Sequence, residues 1–532
     1  MTAVAAPATF NFADLWEAVA ATVPHRTAVV SGTARCTFGE LDRRASGLSA
    51  WMAEAGVGPG DFIAVDMHNR VEYVETMLAA YKLRAVPINV NYRYRTAELV
   101  SLLTDAAAVG IVHDAEVAGA VLPAARALPS VPWTLECGPA YEQAVSSTTG
   151  PRPGGPRSGD DRYVLYTGGT TGAPKGVVWR MEDAFFACLG GGDPTGEHGW
   201  VDEPAAVLDR LVDSHAFLPA APLMHAAGMW TTLRWLLAGA KVVLLPRFDA
   251  AALWSVIEAE QVNVVNIVGD TMARRLLDAL EERPSLDLSS LRTVASGGAP
   301  LSAAVKVRFG AALPEVTLKD SFGSSETGVH GWSVFRPGGN AAARFTTVDT
   351  VVLDPETLVP LPAGSPEEGV VARCGRVPLG YHRDPAKTAA TFVTVGGRRC
   401  ALTGDLGRFG ADGALVVLGR GSQCINTGGE KVHAEEVEAV LRLHPGVEDA
   451  VVVAAPDPAW GQQVVAVVQP GSGAAPSDEE IRAHCRESLA DFKVPRRIVR
   501  VEEVRRSPAG KADYRWAAEV ARADVIPTGG QR

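Results

Sequence analysis

The sequence predicts a two-domain α/β protein: a large N-terminal domain of α/β subdomains with a β-rich subdomain, then a small α+β domain at the C-terminus. Three observations predict it. The chain has 532 residues, and one hydrophobic core rarely serves more than about 250. Apolar residues switch repeatedly between helical and strand periodicity from Phe38 to Pro300, the pattern of helices laid on a sheet. Beyond about Asn340 short strands and turns take over, and from about Asn426 a compact helix-and-strand unit of about a hundred residues follows.

Taken in order, Gly39 to Ala55 has apolar residues at helical spacing, Phe62 to Val65 is a short apolar strand, Val74 to Leu83 is helical, and Ala85 to Val90 is a second strand. Such an order implies parallel strands. Ser146 to Asp160 is rich in Pro, Gly and Ser and reads as an exposed connector. Tyr163 to Tyr166 and Val177 to Trp179 are short apolar runs flanking a loop of small residues. The alternation resumes with strands at Lys241 to Leu245 and Val262 to Val268, a helix at Thr271 to Glu281, and a strand at Leu291 to Ala295. In the C-terminal unit, helices are expected at Ala434 to Leu443 and Ser477 to Leu489, and strands at Ala450 to Ala455, Gln463 to Gln469 and Arg497 to Val501.

Composition narrows the function classes. With 47% hydrophobic and 21% charged residues the chain is globular, and a formal charge of −11 argues against a nucleic-acid surface. No run approaches the roughly 20 apolar residues of a membrane span, and the first residues lack the basic and apolar regions of a signal peptide. A cytoplasmic location is expected. Seven cysteines form no CxxC pair, so free buried thiols are the expected state. Oligomeric state is not legible, and a homodimer is compatible with it.

Residues 166 to 176 read Tyr-Thr-Gly-Gly-Thr-Thr-Gly-Ala-Pro-Lys-Gly. Glycines at 168, 169 and 172 let backbone N–H groups approach an anion without a Cβ in the way. The hydroxyls of Thr167, Thr170 and Thr171 can bond phosphate oxygens, and Lys175 adds a positive point charge. This is not a Walker A loop, because Gly172 is followed by Ala173 and Pro174 rather than by Lys and Ser or Thr. An ordinary surface turn is the bland alternative. Downstream come Ser321-Phe322-Gly323-Ser324-Ser325-Glu326-Thr327, Thr403-Gly404-Asp405, Gly419-Arg420, Asn426-Thr427-Gly428-Gly429-Glu430-Lys431, and Ser507-Pro508-Ala509-Gly510-Lys511.

In order and spacing these motifs resemble the adenylate-forming superfamily of acyl-CoA synthetases, luciferases and peptide-synthetase adenylation domains, and the resemblance covers nearly the whole chain. Phrases such as YTGGTTGAPKGVVWR and SPAGKADYRWA look like bacterial ligases for long, bulky or steroid side-chain acids. The resemblance implies ATP, Mg²⁺, CoA and a small-molecule carboxylic acid as cofactors and substrates. It implies an adenylation domain over 1–419, a hinge at 420–425 and a mobile domain over 426–532.

Site roles follow from the same resemblance, each with a chemical reason. A carboxylate attacking the α-phosphate of ATP meets anion repulsion, so catalysis is charge neutralisation and positioning. Glu326 is the expected Mg²⁺ ligand, Asp405 the acceptor for the ribose hydroxyls, Arg420 a donor to ribose or phosphate, and Phe322 the adenine-stacking ring. Asp320 would accept from the adenine amino group, and Gly298, Gly323, Ser324 and Ser325 belong with the nucleotide. Lys511 is the expected catalytic cation. His225 would orient the carboxylate or thiol, although a lone histidine among apolar residues is often only packed. Trp230, Gly269 and Gly297 would shape the acyl pocket, Gly428, Gly429 and Glu430 would pass the pantetheine arm of CoA, and Ser422 would be the pivot. Three alternatives stand beside an acyl-CoA ligase: an aryl-acid ligase of a biosynthetic pathway, an enzyme activating another acid such as nitrite, and a non-catalytic nucleotide-binding protein.

Overall fold

The computed structural model describes residues 6–146, 155–167, 174–283, 285–339, 341–362, 364–420, 423–427, 430–457, 461–489, 491–506 and 512–523, with the side chains of 420, 424, 426, 430, 431 and 461 left aside. A four-stranded, all-parallel sheet orders Val86–Asn89, Phe62–Asp66, Gly110–His113 and Trp133–Glu136. Helix Phe38–Glu54 packs on Val71–Lys82 beside it. That first helix starts where it does because Thr37 and Glu40 form a reciprocal capping box, which satisfies two backbone donors that the helix cannot.

A larger mixed sheet holds the parallel strands Lys241–Leu244, Ala216–Pro219, Val264–Ile267, Thr293–Gly297 and Thr317–Ser324 side by side. It turns antiparallel at Gly328–Phe335 and continues into the β-rich part, through Arg344–Thr347 and Leu415–Arg420 to Arg398–Phe409, Gly369–Cys374 and Thr350–Leu353. Gly323 permits the tight return at Gly328: a Cβ there would sit 2.1 Å from the Gly328 carbonyl oxygen. The C-terminal unit has its own sheet, with Val447–Asp457, Gly461–Pro470 and Arg497–Arg500 as neighbours, and its own valine-rich core. The chain leaves the large sheet with Leu415–Arg420 and enters the small one with Cys424–Thr427.

One expectation is overturned. Cys374 and Cys400 lie directly opposite each other on antiparallel strands and form a disulfide; the register that joins them is invisible in their spacing. Cys36, Cys137, Cys188 and Cys485 are free and buried as expected. No described helix is long and apolar enough to cross a membrane.

Candidate functional site

One cleft of about 2050 Å³ runs along the large sheet and under the C-terminal unit. Its wall brings together Thr167, His225, Trp230, Gly297, Gly298, Asp320, Phe322, Gly323, Ser324, Ser325, Glu326 and Asp405, which are separated by up to 238 positions in sequence. Parallel strands place their C-terminal ends on one edge, and motifs carried at those ends must converge.

The phosphate-type loop is indeed carried by a hairpin, Arg162–Thr167 against Lys175–Arg180, with Thr167 opposite Lys175. Its base is held by Asn89, whose amide donates to the carbonyl oxygens of Tyr166 (2.8 Å) and Met224 (2.7 Å) while its Oδ1 accepts from Tyr166 N. A single buried side chain thus ties the loop to the His225 segment. Lys175 Nζ pairs with Asp384 at 3.1 Å and is not among the cleft-lining residues.

Glu326 follows the return after Gly323, and one carboxylate oxygen accepts from the Tyr381 hydroxyl at 2.8 Å. Burial and the Glu326 carboxylate together push the Tyr381 phenol well up, so it stays a donor and fixes the carboxylate's orientation. Lys387 Nζ lies 4.2 Å from the centre of the same ring. Phe322 packs on His330 and Phe345, with ring centres at 4.7 and 5.4 Å. Below the Glu326 turn, buried Arg373 donates to the carbonyl oxygens of Thr327 (2.6 Å) and Val329 (3.0 Å). Asp405 follows Gly404, whose φ of +77° suits glycine, and its backbone N donates to Thr403 Oγ1.

Two residues sit differently from what was expected. The Oδ2 of Asp320 accepts from Lys306 Nζ at 2.8 Å in a buried pair behind the strand, so that oxygen does not face a purine. Gly269 does not line the cleft; it starts helix Gly269–Glu281 at φ +56°, where a Cβ would meet Pro300 O at 2.7 Å. Its neighbours Val268 and Ala299 line the wall instead. Gly168, Gly169, Thr170, Thr171, Gly172, Ser422, Gly428, Gly429 and Lys511 lie outside the described residues, as do the side chains of Arg420 and Glu430. Around them, Gln423, Glu435, Arg505, Arg506, Ala512 and Asp513 line the cleft, and Arg506 and Ala512 pair as a bridge.

Asn89, Tyr381 and Arg373 were missed in the sequence. Each acts through a partner far along the chain, and no local motif flags it. His330 supplies a pH test of this packing. Its Nδ1 meets Thr350 Oγ1 at 2.9 Å, its buried Nε2 has no hydrogen-bond partner among the described residues, and burial beside Arg373 holds it down to about 3. The unfolded chain takes up a proton near pH 6.5 and the folded one does not. Stability should therefore be level above pH 7 and fall as pH drops below 6.5, by up to about 1.4 kcal/mol per pH unit for one proton. His330→Asn should flatten that slope in denaturation curves at pH 7 and pH 5; an unchanged slope would assign it to another group.

Comparison with known proteins identifies the family. Residues 16–381 match the AMP-binding enzyme family and residues 436–511 match the AMP-binding enzyme C-terminal domain. The chain is 40% identical over 96% of its length to a 3-oxocholest-4-en-26-oate–CoA ligase of Rhodococcus rhodochrous, 95% of which is covered. It is also 40% identical to a medium/long-chain-fatty-acid–CoA/3-oxocholest-4-en-26-oate–CoA ligase of Mycobacterium tuberculosis, with 96% of each chain covered. Among solved structures, the amide bond synthetase McbA from Marinactinospora thermotolerans superposes with a TM-score of 0.82 at 26% identity, over 96% of this chain and 99% of that one. A family match over most of the large domain, a second over the small one, and near full-length relatives lead to one conclusion: the chain belongs to the AMP-binding enzyme family.

Proposed function

We propose that the protein is an ATP-dependent, AMP-forming acyl-CoA ligase that works in the cytoplasm on a long, bulky or steroid side-chain carboxylic acid. The observation that carries this reading is the single cleft in which the nucleotide-type motifs, His225 and the C-terminal unit meet. The relatives named above act on acids of this kind, which supports the substrate class. Thr167 and its loop hold the β- and γ-phosphates, Asp405 and Arg420 the ribose, and Phe322 the purine. At position 320 the backbone and the second carboxylate oxygen remain for the adenine amino group, since Lys306 has the first.

The residues present suit Mg²⁺. Glu326 is a hard oxygen donor fixed by Tyr381, and Mg²⁺ is usually held by one or two carboxylates plus substrate phosphates rather than by a protein cage; no cluster of three metal-binding side chains occurs among the described residues. When bound, the ion neutralises triphosphate charge. His225, at the N-cap of helix Ala226–Leu237, orients the attacking carboxylate. Lys511 balances the charge that develops at the α-phosphate. For the second half-reaction the small domain turns about Ser422, and Gly428-Gly429-Glu430 receives CoA. The crossing between sheets at residues 420 to 424 is compatible with such a pivot.

Incubation with ATP, Mg²⁺, CoA and a mixed acid library, followed by mass spectrometry, should show one or more acyl-CoA products with AMP and pyrophosphate in equal amounts. AMP release that depends on an acid but yields no thioester would reassign the acceptor. Nitrite-dependent AMP release without CoA would reassign the acid.

A further inference from the structure

The lysine that stands beside Glu326 is not the lysine of the phosphate-type loop. Lys175 Nζ pairs with Asp384 Oδ2 at 3.1 Å, and Lys175 does not line the cleft. Lys387 does line it, from the short helix Pro385–Thr391. Its Nζ lies 4.2 Å from the centre of the Tyr381 ring, whose hydroxyl donates to Glu326 at 2.8 Å. One phenol ring therefore separates a half-buried cation from the carboxylate best suited to Mg²⁺.

This placement is fixed by packing on several sides. The strand Gly380–Tyr381 pairs with Lys175–Arg180, Tyr381 opposite Val177, so the ring adjoins the hairpin that carries the phosphate-type loop. His382 N donates to Gly176 O at 2.7 Å on the same edge. Thr388 Oγ1 accepts from Tyr381 N at 2.9 Å and donates to Asp384 O at 2.7 Å, which ties the helix to the strand. A Cβ on Gly380 would meet Thr388 Cγ2 at 2.5 Å, so only glycine allows so close a seat. Asp384 cannot serve Lys387 as it serves Lys175: its Oδ1 accepts from Lys387 N at 3.0 Å, and its Oδ2 holds Lys175.

The Lys387 ammonium forms no ion pair and no hydrogen bond among the described residues. A cation over a ring face is attracted by it, but all three N–H donors stay available. The other cations that line the cleft from the large domain are placed elsewhere. Arg234 and Lys319 donate to Asp193 O and Thr195 O, and Arg292 precedes the strand Thr293–Gly297, at the end away from Gly297. A triphosphate held by Mg²⁺ at Glu326 keeps much of its negative charge, and a positive point charge with free donors next to that ion is suited to it.

We infer that Lys387 is a further phosphate-binding residue, whose ammonium donates to the terminal phosphate oxygens of ATP and to the pyrophosphate before it leaves. Lys175, tied to Asp384, anchors the base of the loop instead. This rests on the acyl-CoA ligase reading and adds a contact to the same site.

The test titrates the full chain with magnesium pyrophosphate by calorimetry, and measures KM for ATP and thioester formation from a supplied acyl-adenylate. Lys387→Met should weaken pyrophosphate binding and raise KM for ATP by about tenfold each, a ratio that corresponds to about 1.4 kcal/mol. KM for the acid and the thioester step, which involves no triphosphate, should stay within about twofold. Lys387→Arg should recover most of the loss, and Lys175→Met should lose less than Lys387→Met. If wild type binds pyrophosphate too weakly to titrate, the KM values decide alone. Unchanged pyrophosphate affinity and KM in Lys387→Met would show that the lysine only packs on Tyr381, and a larger loss in Lys175→Met would return the role to the loop. Loss of both half-reactions without recovery by arginine would assign Lys387 to folding; each of these three results overturns the inference alone. Failure of every acid to release pyrophosphate from ATP with the wild-type chain overturns the ligase reading beneath it.

Discussion

Lys511→Ala should slow acid-dependent ATP–pyrophosphate exchange by about 10²–10³-fold, the range typical for loss of one preorganised group that stabilises transition-state charge, while thioester formation from a supplied acyl-adenylate stays within a few fold. The asymmetry follows from where charge develops. In the first half-reaction a carboxylate approaches a polyphosphate, and a cation in a partly dehydrated cleft has its largest effect there. In the second, a thiol attacks an activated carbonyl and the triphosphate is gone. Lys511 lies outside the described residues, but Arg506 and Ala512 on either side of its segment pair with each other and line the cleft. Arg506 is not a ready substitute, because both oxygens of Asp449 hold its guanidinium at 2.5 and 2.7 Å. Equal losses in both half-reactions would show that Lys511 supports the fold of the small domain instead, and a loss below threefold in both would pass the role to Arg505, which also lines the cleft.

What the sequence made legible was local. The capping boxes at Thr37 and Ser477 start helices within a residue of the positions read from periodicity, because a cap is a contact between neighbours. Helix Gly269–Glu281 starts two residues earlier than periodicity suggested, since Gly269 begins it in a left-handed conformation set by the packed turn at Ala299 and Pro300. The motifs themselves were legible because each is a run of adjacent residues. Illegible were the side chains that act across the fold: Asn89 reaching Tyr166 and Met224, Tyr381 orienting Glu326, Arg373 under the Thr327 turn, and the cross-strand register of Cys374 with Cys400. Asp320 illustrates the limit well. Its place beside Ser321 and Phe322 was plain, but which face its carboxylate takes depends on Lys306 from the helix Ala303–Ala312 behind the strand.

That pair sets the second large effect. Lys306→Met should destabilise the large domain by about 3–5 kcal/mol, the usual loss when one partner of a buried pair is removed and the other charge stays. The Lys306 and Asp320 side chains are 1% and 7% exposed, so water cannot replace the lost partner. Burial already holds the Asp320 carboxyl above its ordinary range, with Lys306 the opposing influence; without Lys306 it rises further. The unfolded chain still releases that proton near pH 3.9. Between the two values the folded variant holds a proton that the unfolded chain has lost, so its stability falls as pH rises. The deficit against wild type should be largest at pH 8 and shrink at pH 5. Lys306→Met combined with Asp320→Leu should recover most of the loss, since removing both charges removes the uncompensated one. Because Asp320 directly precedes Ser321 and Phe322 on the same strand, the single variant should also raise the KM for ATP, and the double variant should restore stability more fully than KM. Denaturation midpoints of the large domain at the two pH values decide it: a single variant as stable as wild type at pH 8 would mean that Asp320 reaches solvent or another cation when Lys306 is gone.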